Sequence, residues 1–124
     1  MESYIDDEFS IKIEDGIVYI EFFFEHGTWE IVDRGIKKRN EMTKGKAYPM
    51  LSDVRSMKTS TREGRQRMSD PDSGEGVIAG AVIINSKVQQ VIYNLFQAIY
   101  KAPTQVRLFT NKDEAVEWIK QFKQ

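Results

Sequence analysis

Residues 47–65 read AYPMLSDVRSMKTSTREGR. A short apolar run closes on an acid, a polar loop follows, and then comes the start of a helix. The run 48–54 is too short and too apolar for a surface helix, and Pro49 near its beginning is tolerated at a strand start but not inside a helix. It reads as a buried strand at the centre of a sheet. Downstream, Ser60 and Glu63 have the spacing of a capping box, in which both side chains accept from free backbone amides. The helix they open is short, polar and loosely held, with only Met57, Met68 and arginine stems to pack beneath it. The stretch 70–76, DPDSGEG, reads as an exposed, mobile loop.

Towards the amino terminus, Phe9, Ile11 and Ile13 alternate with polar residues. Asp15-Gly16 follows, a pair suited to the positive φ angles of a two-residue hairpin. The second strand, 17–24, has one fully apolar face (Val18, Ile20, Phe22, Phe24) and one mixed face (Ile17, Tyr19, Glu21, Phe23). Helices on one side only would leave Tyr19 and Phe23 partly exposed, as a dimer surface or ligand wall. Thr28 caps a helix carrying Trp29, Val32 and Ile36, and Lys44-Gly45 closes it.

Towards the carboxyl terminus, 77–84 is continuously apolar, as in a strand covered on both faces. Ser86 and Gln89 open a helix striped with Val88, Val91, Ile92, Leu95, Phe96, Ile99 and Tyr100. A short strand at 105–109 and a final helix capped by Thr110 or Asn111 complete the chain. The predicted order is β-β-α-β-α-β-α-β-α: one α/β domain over 1–124 with a five-stranded mixed sheet, its first strand antiparallel and the crossovers right-handed.

The chain is long enough for one core without disulfides or metal. It has no cysteine, which removes thiolate catalysis and Cys-ligated zinc, and its lone His26 lacks clustered co-ligands, so no metal and no cofactor are expected. The acidic start MESYIDDEF is unlike a secretory signal and no stretch has the length of a membrane span, which makes a reducing cytoplasm the expected location. Net charge is −1, but unevenly spread. Residues 1–33 hold ten acids against one base, and 34–67 hold eleven bases against three acids. The basic segment (Arg34, Lys37, Lys38, Arg39, Lys44, Lys46, Arg55, Lys58, Arg62, Arg65, Arg67) forms one positive surface if its helices are neighbours. It lacks stacking aromatics, so nucleic acid is not the expected partner. An acidic protein, an anionic headgroup, the acidic third of a second copy, or plain solvent would each suit it.

The segments LSDVRSMKTSTREG (51–64), GVIAGAVIIN (76–85) and LFTNKDEAVEWIKQF (108–122) resemble the STAS-like fold of anti-sigma-factor antagonists over nearly the whole chain. That resemblance implies a non-enzymatic regulatory module. It further implies that Ser60 or Thr61, at the helix start after the acid-ended strand, stands where a partner kinase phosphorylates such proteins. Asp53, Met57, Arg62, Arg65 and Met68 would then belong to the partner-binding loop and helix. A homodimer is a further expectation. The alternative is a small-molecule or lipid carrier, a role also found among relatives of the fold, with Tyr19, Phe23, Phe96 and Tyr100 as the ligand wall. Capping explains the hydroxyls, and core packing the aromatics, without any partner. His26 and Asp53 are the remaining candidates for proton chemistry; each needs a second titratable group beside it.

Overall fold

A computed structural model describes residues 2–85 and 105–124. The strands are β1 (Glu2–Ile5), β2 (Phe9–Glu14), β3 (Ile17–Phe22), β4 (His26–Gly27), β5 (Tyr48–Asp53), β6 (Thr59–Ser60), β7 (Val77–Ile83) and β8 (Gln105–Phe109). The helices are α1 (Trp29–Thr43), α2 (Arg62–Met68) and α3 (Lys112–Ile119), with 3-10 turns at Pro71–Gly74 and Lys120–Phe122. The main sheet has six strands in the order β1-β2-β3-β5-β7-β8, and β4 pairs with β6 separately. The predicted helix over 86–101, with Phe96 and Tyr100, lies outside the described residues.

The sheet is mixed as expected, with β2 antiparallel to β3 and β3, β5, β7 and β8 parallel. At the hairpin, Asp15 and Gly16 have φ of 53° and 77°. The strand β5 lies inside the sheet between β3 and β7, in register Val18↔Met50 and Asp53↔Ile83. Its register against β7 shifts between Tyr48 and Met50, and Pro49 sits at that irregularity, where a residue with no N–H breaks no regular ladder.

Two expectations change. The sheet gains a sixth strand, β1, antiparallel to β2. β1 is short and acidic, and Ile5 is 71% exposed, so it shows no two-residue periodicity. It is held instead by the turn that follows: the Asp6 carboxylate accepts from the N–H groups of Glu8 (2.7 Å) and Phe9 (3.0 Å) and from the Tyr4 hydroxyl (2.8 Å). The second change concerns 70–76. It is not simply an exposed loop: Pro71–Gly74 is a 3-10 turn with Ser73 buried.

Helices α1 and α2 cover one face over Phe9, Ile11, Val18, Met50, Val54, Met57, Met68 and Val82. Helix α3 covers the other over Ile17, Leu51, Ala79, Ala81 and Ile83. At roughly 25 cal/mol per Å² of apolar area, this two-faced burial dominates stability. The caps fit the sequence: Thr28 accepts from the Ile31 N–H, and Asn111 from the Glu114 N–H.

Candidate functional site

The site begins where the carboxyl end of β5 meets α2, the edge at which open α/β sheets bind their ligands. Asp53, 6% exposed, ends β5. Arg55 grips it twice, Nε to Oδ1 at 3.0 Å and Nη2 to Oδ2 at 2.7 Å, and the Arg55 N–H adds a third bond at 3.1 Å. The hydrogen bond to Asp53 holds the guanidinium pKa above its usual value despite partial burial. The paired Asp53 carboxylate thus fixes the loop.

The loop backbone is pinned from below. The Lys58 and Thr59 N–H groups donate to Glu25 O, and the Thr61 N–H donates to Gly27 O. These bonds form the short β4–β6 ladder, in register His26↔Thr59 and Gly27↔Ser60. Met57, 2% exposed, fills the space beneath. Gly64 lets α2 lie directly on β4: a Cβ there would collide with the Gly27 carbonyl oxygen. Lys58, Thr59, Arg62 and Arg65 face solvent, and Ser60 is half-buried.

The cap of α2 belongs to Thr61. Its Oγ1 accepts from the Gly64 N–H at 2.9 Å, and its hydroxyl also reaches Gly27 O at 3.4 Å. The Ser60–Glu63 box therefore does not form, because Ser60 is held in the β6 ladder one residue before the capping position. Arg65 instead donates from Nη1 to Ser60 O (2.7 Å) and Ser60 Oγ (3.2 Å). His26 is exposed, with Nδ1 2.6 Å from Thr59 Oγ1. The side-chain partner of Asp53 is thus an arginine and that of His26 a threonine.

Helix α2 is held firmly, contrary to the sequence reading. Arg67, 6% exposed, donates to Asp33 of α1 (2.8 Å), to Asp70 (3.2 Å) and to both oxygens of Asp72 (2.8 and 2.9 Å). Arg39, 4% exposed, donates to the carbonyls of Ser73 (2.7 Å) and Asp72 (3.0 Å). Neither residue belongs to a basic surface. Both are drawn inward because the 3-10 turn presents carbonyls and a carboxylate that need donors.

Much of the charge polarity closes within the chain. Arg34 pairs with Asp6 and Glu8, Lys37 with Asp33, Lys38 with Glu41, and Lys58 with Glu25. Among the described residues, Lys44, Lys46, Arg62 and Arg65 form no ion pair, and Arg65 is the one that bonds Ser60.

Of the candidate ligand wall, Phe96 and Tyr100 lie outside the described residues. Tyr19 faces α3, with the Lys12 ammonium 5.1 Å from its ring centre, and Phe23 is 38% exposed at the end of β3. A cavity of about 70 Å³ lies on the opposite face, under α1 and α2. Its wall includes Ile20, Phe22, Gly35, Met50, Ser52 and Met57, and also Met68. Gly35 and Ser52 were missed in the sequence. A glycine inside an amphipathic helix and a serine inside an apolar strand were the available signals.

Among the described residues, no group of His, Asp or Glu has a metal-holding arrangement. No helix among them is long and apolar enough to cross a membrane.

No curated protein matches the chain. The crystal structure of an uncharacterised protein from the DUF3478 family, with a SpoIIAA-like fold, from Shewanella loihica PV-4, superposes with a TM-score of 0.68 at 14% identity. It covers 96% of this chain and 99% of its own. At that identity the likeness concerns the fold, which is the STAS-like one the sequence resembles. The family model for a domain of unknown function, DUF7793, matches residues 11–123, and the chain belongs to that family.

Proposed function

We propose that the chain is a non-enzymatic regulatory module that binds an acidic segment of a protein partner through residues 53–68. The observation that carries this reading is the pinned β5–α2 connection. Its backbone is fixed by β4, and it presents Arg62 and Arg65, which are free of ion pairs among the described residues, beside Lys58, Thr59 and Ser60. A surface already ordered in the free protein loses little conformational entropy on binding, and unpaired cations favour an acidic segment.

Regulation would act at Ser60 rather than Thr61. The Thr61 hydroxyl is committed to the α2 cap. Ser60 Oγ already lies 3.2 Å from the Arg65 guanidinium, so a phosphate from a kinase-like partner would take Arg65 for itself and add negative charge to the surface. Binding of an acidic segment would then weaken.

The test is site-specific photo-crosslinking in cells of the organism of origin, with the photoreactive residue at Arg62 or, as a control, at Glu117 on α3. The expected result is one protein adduct from position 62 that Arg65→Glu removes and that is absent at 117. The same adducts at both positions, or none at 62, would overturn the reading.

A further inference from the structure

The cavity between α1, α2 and the sheet carries three observations that packing alone leaves unexplained. It is apolar except for a few groups. Of those, Arg39 directs its donors to the turn and to Asn40: Nη1 to Ser73 O, Nη2 to Asp72 O, and Nε to Asn40 Oδ1. Ser52 is different. It lies on the central strand, 4% exposed, on the cavity wall, and no described residue forms a hydrogen bond with its hydroxyl. No side-chain polar atom among the described residues is both fully buried and without a partner, so the Ser52 hydroxyl is not sealed into the packing but opens onto the cavity it lines, where it can bond an occupant.

The third observation is Gly35, seven residues into α1. Its φ is not in the left-handed region, and a Cβ there would meet only Phe9 Cε1, at 4.0 Å. Alanine would fit, favour the helix and fill part of the void. Glycine keeps that space open next to the Ser52 hydroxyl's cavity.

We propose that this cavity is a binding site for a small neutral molecule with an apolar body and one hydrogen-bonding oxygen, which pairs with Ser52. The volume admits a handful of heavy atoms, and Met50, Met57 and Met68 supply flexible, polarizable walls that adjust to the occupant. A neutral ligand is specified because the wall offers the occupant a hydroxyl, which pairs with an alcohol or carbonyl as donor or acceptor. The site is separate from the partner surface, which lies on the outer side of the same connection.

The experiment is NMR of the protein carrying 13C-labelled methionine methyls, titrated with butan-1-ol and with n-pentane, probes of equal heavy-atom count. Met50, Met57 and Met68 should show saturable shifts with both probes, while Met42, which is buried but off the wall, stays still. Butan-1-ol should bind more tightly than pentane. Ser52→Ala should weaken butan-1-ol roughly fivefold, the worth of one hydrogen bond, and leave pentane unchanged. Gly35→Ala, which retains the fold, should abolish binding of both. Shifts that rise linearly without saturation would overturn the proposal, as would equal affinities of wild type for the two probes. An unchanged butan-1-ol affinity in Ser52→Ala would do the same, and would leave the hydroxyl to an ordered water.

Discussion

Arg67 Nε lies 2.8 Å from Asp33 Oδ1, joining α2 to α1 through a guanidinium that is 6% exposed and also holds Asp72. A buried guanidinium stripped of its carboxylates, or carboxylates stripped of their guanidinium, leaves charge with nothing to offset desolvation. Arg67→Met keeps the aliphatic bulk and removes the charge, and should cost about 2–4 kcal/mol in urea unfolding. Hydrogen exchange should show the 3-10 turn Pro71–Gly74 opening before the rest of the sheet.

The same cluster has a pH signature. The hydrogen bond from Arg67 holds both Asp33 and Asp72 below the usual carboxylate range. A carboxylate whose folded pKa is depressed stabilises the fold above its unfolded pKa, and that contribution fades as pH falls through the folded value. Asp6 adds to the trend. Burial pushes its pKa up, but the N–H groups of Glu8 and Phe9, the Tyr4 hydroxyl and Arg34 outweigh burial and bring it to about 2. Stability should therefore be flat above about pH 5 and fall between roughly pH 4 and 2. Asp6→Asn should flatten part of that fall, with an effect on the order of 1 kcal/mol after solvent screening. Thermal melts across pH 2–7 for wild type and Asp6→Asn check the sign and the size.

Gly64 is required by contact rather than by backbone angle. The Cβ of alanine would strike the Gly27 carbonyl oxygen, a backbone atom that cannot step aside. Gly64→Ala should cost about 1–3 kcal/mol, as overpacking does, against the gain that alanine ordinarily brings to a helix. Gly35→Ala makes the opposite case within α1. Its nearest neighbour is 4.0 Å away, so it should stabilise by about 1 kcal/mol. Paired denaturation curves distinguish the two glycines.

How far the sequence could be read follows from which forces are local. The hairpin at Asp15-Gly16, the caps at Thr28 and Asn111, and the buried strands β5 and β7 are written in adjacent residues and appear where expected. β1 was not legible because it rests on Asp6 reaching forward over the turn to the N–H groups of Glu8 and Phe9 and on Lys38 lying 4.7 Å from the Tyr4 ring centre, not on periodicity. Arg39 and Arg67 looked like surface cations because the acceptors that bury them lie 33 or more residues away, or in a turn that composition marks as a loop. Ser52 gave no sign that it lines a cavity, since that depends on how α1 and α2 lie over this face of the sheet.

The hydroxyl pair Ser60-Thr61 shows how a shift of one residue reassigns a role. Both fit an N-cap by sequence, and Ser60 has the better box partner in Glu63. The β4–β6 ladder decides otherwise, since it holds Ser60 in extended pairing with Gly27 and leaves Thr61, at φ −77° and ψ 161°, as the residue that turns the chain into α2. Thr61→Ala should thus lose about 1 kcal/mol of stability, with Thr61→Ser restoring most of it. Ser60→Ala should stay within about 0.5 kcal/mol, as for a surface position outside any cap. Equal losses at both positions in urea titration would return the cap to Ser60. A loss confined to Thr61 leaves the Ser60 hydroxyl without a structural duty beyond its contact with Arg65, and so open to a partner enzyme.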